Sequence, residues 1–276
     1  MVKYRMNRLF DPRSHRCVAV AIDHGAFNDM AFLAGIESMP AAIGTIVKAG
    51  ADALLLAPGT AGLLQEHAGR NKPQLVLRAD VSNGFHDILP EHVYCHMFDA
   101  VVELAVRLDA ACMCINLIDV PGHPELNSDC VRNLMNVKRF CEQAGMPLMV
   151  EALALKPAGP AGAYSGDLAL DKVLPIVRQG AELGADIIKA DVTDNLDDYH
   201  RVVEAVHVPI LVRGGGRMPD RKILDMTEKL VRQNVGGIIY GRNIIQHEKP
   251  GAMTQAFKSI VHENGTAEQA FARLQS

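Results

Sequence analysis

Lys189 ends a short apolar run, Ile187-Ile188-Lys189-Ala190-Asp191, that is entered through Gly184-Ala185. Such a run reads as a parallel strand buried on both faces, where lysine is among the least expected side chains. Burial disfavours an ammonium, and the neutral amine attacks carbonyl carbon, so a lysine on a buried strand points to imine chemistry. Taken alone, the run is better explained by a strand that stops at Ile188 and lets Lys189 reach water, so the rest of the chain must decide. Other strand ends carry polar groups as well. Asp23 and His24 follow the first apolar run, Arg78 and Asp80 the third, Asn116 and Asp119 the fourth; Glu151 is on the fifth and Arg213 ends the seventh. A ring of both charges around one mouth is what a site for a polar substrate requires. Alternation puts Ile187, Lys189 and Asp191 on one face of their strand. Asp80, Asn116, Asp119 and Asp191 read as loop-forming or capping residues, and His24 as either support for a turn or a substrate contact. Asp52 and Asp186 precede their strands and read as caps or surface groups. His86, His92, His96 and His123 are not spaced as metal ligands.

A second kind of chemistry is written near the end of the chain. The seventh run continues into Arg213-Gly214-Gly215-Gly216-Arg217 and the eighth into Gly241-Arg242-Asn243. Glycines let backbone N–H groups approach anionic oxygens, and a helix start nearby favours the same charge. Three glycines would also suit a tight turn. Because glycine and arginine recur after both of the last two runs, Gly214, Gly215, Gly216, Gly241 and Arg242 are expected to hold a phosphate, with His24 and Arg213 as further substrate contacts.

These groups need elements to position them. Apolar runs at 17–23, 53–57, 74–77, 110–117, 147–153, 186–189, 208–212 and 236–240 are each of strand length. Helical spacing fills 36–48, 92–108, 129–144, 168–183, 197–206 and 220–233, and 266–274 reads as a final helix. Several strands are entered through a glycine junction, as at Gly50, Gly145 and Gly184, where a helix can end left-handed. About eight alternating units in 276 residues describe a (β/α)8 barrel, an α/β fold with a parallel eight-stranded sheet. Catalytic groups would then lie at the C-terminal strand ends. A doubly wound sheet is the alternative, but it would carry a Gly-rich turn where this chain has Asp23-His24-Gly25. No linker divides residues 1–276, so one barrel domain with a C-terminal helical tail is expected.

Composition narrows the function. A net charge of -4 gives no electrostatic case for nucleic acid or an anionic membrane. No apolar run reaches membrane-spanning length, and no apolar segment follows the cationic residues at the start. The six cysteines lack zinc-finger spacing and suit reduced thiols in a cytoplasmic protein.

In Asp23-His24-Gly25, Ile187-Ile188-Lys189, the Gly-Gly turn after the seventh run and Gly241-Arg242-Asn243-Ile244-Ile245-Gln246, the chain resembles the archaeal-type class I fructose-bisphosphate aldolases. Their relatives include the 2-amino-3,7-dideoxy-heptulosonate synthases and the thiolase that degrades a phosphorylated quorum signal. The resemblance implies that Lys189 forms the Schiff base, that Asp23 is an acid/base or substrate-orienting carboxylate, and that the glycine turns with Arg242 bind phosphate. It also implies a homo-oligomer with neither metal nor organic cofactor. Two departures stand out. The family's strand 5 tyrosine is absent, because the chain reads Glu151-Ala152-Leu153-Ala154-Leu155-Lys156-Pro157, and Arg213 takes the place of a small residue before the glycines. Glu151 is thus either a substitute proton carrier or an ion-pair partner for Lys189. The expected activity is a class I aldolase, a lyase acting on a phosphorylated ketone. Imine-dependent acyl transfer on a phosphorylated diketone, phosphosugar isomerisation or epimerisation, and non-catalytic phosphosugar binding are the alternatives.

Overall fold

The computed structural model describes residues 2–27, 30–84, 91–158 and 164–275. His86, one of the histidines weighed above, is outside them. Eight strands form the wall: β1 (Cys17–Ala21), β2 (Ala53–Leu56), β3 (Gln74–Arg78), β4 (Cys112–Asp119), β5 (Leu148–Pro157), β6 (Ile187–Ala190), β7 (Ile210–Arg213) and β8 (Gly237–Tyr240). Each pairs in parallel with the next, and β8 pairs with β1, so the sheet closes into a (β/α)8 barrel. Closure rules out the doubly wound alternative.

Side-chain alternation sorts the wall into two cores. Val18, Val20, Leu54, Leu56, Ile188, Val212 and Ile238 point outward and pack under the surrounding helices. Cys17, Ala19, Val76, Cys114, Met149, Ile187, Leu211 and Ile239 fill the interior. The helix Lys3–Leu9, which the sequence pattern did not reveal, adds Leu9 to that interior cluster. Six of the eight inward rows turn polar two residues later: Ala21 leads to Asp23, Val76 to Arg78, Cys114 to Asn116, Met149 to Glu151, Ile187 to Lys189 and Leu211 to Arg213. The interior is therefore apolar below and charged at the mouth.

The glycine junctions behave as their spacing suggests. The helices Met39–Ala49 and Pro124–Ala144 end at Gly50 (φ 67°) and Gly145 (φ 61°), a left-handed conformation that costs glycine little. The segment 92–108 departs from its expected helix. Cys95–Met97 forms a strand antiparallel to Asp80–Ser82, and only Val101–Arg107 is helical. In this hairpin Cys95 is buried and His96 exposed, a period of two that a helical count across the whole segment obscures. A second short strand, Tyr164–Gly166, returns antiparallel along the end of β5. The expected final helix is present as Ala267–Gln275, packed on the helices Asp220–Arg232 and Pro250–Glu263. Among the described residues no helix is long and apolar enough to cross a membrane.

Candidate active site

Arg78 rises from β3 into the centre of the mouth and is almost fully buried. Its Nε donates to Asp23 Oδ2 at 2.7 Å, its Nη2 to Glu151 Oε2 at 2.6 Å and its Nη1 to Asn116 Oδ1 at 3.3 Å. Asp80 Oδ1 lies 3.8 Å from the same guanidinium. Lys189 Nζ is 2.9 Å from Glu151 Oε2, so one carboxylate oxygen serves both cations. Arg213 donates through Nη1 to Asp191 Oδ2 at 3.2 Å, and its Nε is 3.8 Å from Glu151 Oε1. Ion pairs this deep persist because each charge is compensated; removing one partner leaves another stranded.

The electrostatics follow from this mesh. Burial pushes the Glu151 carboxyl up, but Lys189, Arg78 and Arg213 outweigh it and hold the group well below the usual carboxylate range. Asp23 is likewise raised by burial and brought below its ordinary value by Arg78 and Lys189. Asp191 ends above its ordinary value, because burial exceeds the pull of Arg213. Burial also pushes Asp80 up to about 6 against the pull of Arg78. Asp80 is a structural anchor: it accepts from the Asn116 backbone N–H at 2.8 Å, from Asn116 Nδ2 at 3.0 Å and from Cys95 Sγ at 3.2 Å.

The opposite wall is made by the loops after β7 and β8. A Cβ on Gly241 would stand 2.7 Å from His24 Nε2, and one on Gly214 would stand 2.9 Å from Asn243 Nδ2. Asn243 donates from Nδ2 to the carbonyls of Gly214 (2.9 Å) and Gly216 (3.0 Å) and accepts from the Met218 N–H (2.9 Å). It thereby pulls the turn's carbonyls inward. Among the described residues, nothing accepts the N–H of Gly215 or Gly216, and Arg242 has no carboxylate partner. The Arg242 guanidinium carbon is 4.9 Å from the centroid of the Phe32 ring, a cation–π contact that leaves its N–H groups unspent. His24 stacks on Phe32 at 6.0 Å and meets the edge of Phe27 at 5.8 Å. Burial, with repulsion from Lys189 and Arg242, lowers its pKa to about 4 against the pull of Asp23. His24 is neutral near pH 7, and its Nδ1 has no hydrogen-bond partner among the described residues.

Between the two walls lies a cavity of about 580 Å³. It is lined by Lys189, Asp23, Glu151, His24, Arg213, Gly214, Gly215, Gly216, Gly241 and Arg242, so the residues expected to react with or bind substrate share one cavity. Asp191 and Tyr164 line it too. Asp80, Asn116 and Asp191 depart from their reading as loop or cap residues, for they are buried in the mouth; Asp119 is exposed. Arg78 and Asn243 were present in the sequence as a strand-end charge and a motif residue, without a role attached. Asp52 and Asp186, at the opposite end, accept backbone N–H groups of Val18 (2.6 Å) and Leu148 (3.0 Å), which is a capping role.

In this closed barrel a buried lysine among carboxylates faces an arginine with no carboxylate partner among the described residues and backbone N–H groups that meet no acceptor among them. The chain belongs to the DeoC/LacD family of aldolases, whose model matches residues 17–247. It is 29% identical over 271 residues to an uncharacterized aldolase of Saccharolobus solfataricus, covering 96% of each chain. It is 32% identical over 272 residues to the 3-hydroxy-5-phosphonooxypentane-2,4-dione thiolase of Salmonella typhimurium, covering 97% of this chain and 84% of that one. In fold it is similar to an archaeal fructose 1,6-bisphosphate aldolase, with a TM-score of 0.76 at 22% identity over 95% of this chain and 100% of that one.

Proposed function

We propose that the protein is a class I aldolase that cleaves or forms a carbon–carbon bond in a phosphorylated ketone through an imine on Lys189. The observation that carries this reading is a buried lysine opening into the same cavity as two glycine turns and an arginine with no carboxylate partner among the described residues. The phosphate is held by the N–H groups of Gly214, Gly215, Gly216 and Gly241 and by Arg242, which places the carbonyl toward Lys189. Once a proton leaves Nζ, the amine adds to the ketone carbon, and loss of water gives an iminium. Glu151, kept ionised by three cations, stabilises positive charge on that nitrogen in both the ammonium and the iminium. Asp23 accepts the proton of the β-hydroxyl, the carbon–carbon bond breaks, and its electron pair forms the enamine. His24 packs between Asp23 and Gly241 as a neutral substrate contact, and Arg213 fixes the Glu151 and Asp191 carboxylates.

Imine-dependent acyl transfer is the second reading, favoured by the identity to the thiolase and by the absence of a tyrosine on β5 beside Glu151. The two readings part in one assay. Phosphorylated ketones and diketones are offered with and without a thiol acceptor: aldehyde release independent of thiol supports the aldolase, and turnover only with thiol supports the transferase. Turnover that survives Lys189→Met would overturn both. The free, buried state of all six cysteines suits work in the cytoplasm, and the family resemblance suits a homo-oligomer.

A further inference from the structure

Retro-aldol cleavage leaves an enamine whose carbon must receive a proton before the product can leave, and the family's strand 5 tyrosine is missing. Resting on the imine reading above, we propose that Asp191 is a catalytic residue, the group that carries a proton to and from the carbon next to the imine. In the forward step the Asp191 carboxyl O–H bond breaks and its proton goes to the enamine carbon. The enamine electron pair forms the new C–H bond, nitrogen becomes the iminium, and Asp191 is left as a carboxylate. The reverse step moves the α-proton of the iminium back to the carboxylate and regenerates the enamine.

Geometry singles out this carboxylate. Asp191 follows Lys189 by two residues, just past the end of β6 and nearer the mouth, where it lines the cavity. Only Oδ2 is engaged, by Arg213 at 3.2 Å; Oδ1 carries no hydrogen bond among the described residues. Its position is built. Tyr199 donates its hydroxyl to the Asp191 carbonyl at 3.1 Å, and Gly166 faces the carboxylate, where a Cβ would come within 3.0 Å of Oδ2. The other two carboxylates serve worse. Glu151 Oε2 is shared by Arg78 and Lys189, and Asp23 is bound by Arg78 at 2.7 Å. Burial raises Asp191 above its ordinary range while Asp23 and Glu151 lie below theirs, which agrees with a carboxyl that can hold a proton. Tyr164, the tyrosine lining the cavity, already donates its hydroxyl to the Pro121 carbonyl at 3.2 Å.

The test separates imine formation from proton transfer at carbon. The full chain is incubated in deuterium oxide with the phosphorylated ketones that borohydride traps on the wild type, dihydroxyacetone phosphate among the panel, and loss of the α-proton signal is followed by nuclear magnetic resonance. Wild type and Tyr164→Phe should exchange at similar rates. Asp191→Asn should still be trapped but exchange at least about a hundredfold more slowly, the usual loss with a general acid or base. Asp191→Glu should recover part of the rate. Exchange by trapped Asp191→Asn within threefold of wild type overturns the proposal, as does loss of exchange in Tyr164→Phe. If Asp191→Asn fails to fold, Asp191→Ser decides: exchange at least about a hundredfold slower with trapping intact supports the role, and exchange within threefold of wild type rejects it. Absence of trapping in wild type would instead remove the imine reading, and this proposal with it.

Discussion

Where β1, β3, β5 and β6 reach the mouth, Arg78 and Lys189 lie within 2.9 Å of carboxylate oxygens of Asp23 and Glu151. Where β7 and β8 end, Arg242 faces the same cavity over the ring of Phe32, beside backbone N–H groups with no acceptor among the described residues. The first region spends its charges internally, so a substrate entering it exchanges one set of interactions for another at the reacting nitrogen. The second keeps a cation and donors in reserve and gains most when an anion arrives. On the function proposed above, chemistry and anchoring fall to different walls, and damage to each should have a different signature.

The largest effect is expected at Arg78, on which the internally paired wall depends. Arg78→Met leaves Asp23, Glu151 and Asp80 with less compensation in a buried place, and should cost about 3–5 kcal/mol of stability as well as activity. Denaturant unfolding measures it; a loss below about 1 kcal/mol would mean that the mesh is not what holds the mouth together. Asp23→Asn keeps the shape and removes a base. Turnover should fall by roughly two or more orders of magnitude while reductive trapping persists, and near-normal turnover would make Asp23 structural.

On the reserve wall the expected loss is smaller and falls on binding. Arg242→Ala should weaken binding of phosphorylated substrate about tenfold to a hundredfold, as removal of a charge-assisted hydrogen bond does, without changing thermal stability. Inorganic phosphate should compete with substrate in wild type and much less in the variant. If phosphate does not compete, the glycines are only turns.

The effect at His24, where the two walls meet, shows only as pH falls. Its folded pKa of about 4 is below the roughly 6.5 of an unfolded histidine, so between these values the unfolded chain takes up a proton that the folded one refuses. Stability from this residue is therefore present above about 6.5 and lost as pH falls toward 4. The slope of melting temperature against pH in that window should be shallower in His24→Asn than in wild type; equal slopes would show that the imidazole can be protonated in place.

Much of this division was legible before any coordinates. Period-two alternation puts Lys189 on an inward row, and the two glycine-arginine turns after the last strands line the same cavity. The pairing within the reactive wall was not legible, because Arg78 at the end of an apolar run does not announce which carboxylates it will bridge from three other strands. Asp191, an aspartate at a strand end, reads as a loop-forming or capping residue; only closure of β6 between β5 and β7 buries it against Arg213. The hairpin of Asp80–Ser82 with Cys95–Met97 was hidden for a different reason. Its second strand is three residues long and adjoins a genuine helix, so apolar spacing alone merged the two.

The central claim is that the lysine on β6 becomes covalently bonded to substrate. Wild-type protein is reduced with borohydride in the presence of a panel of phosphorylated ketones and diketones, digested, and sequenced by mass spectrometry. A ketone-dependent mass increase on the peptide carrying Lys189, absent from Lys189→Met, is the predicted result. An adduct on another residue such as Lys156, or no adduct with any ketone that the enzyme turns over, would contradict it.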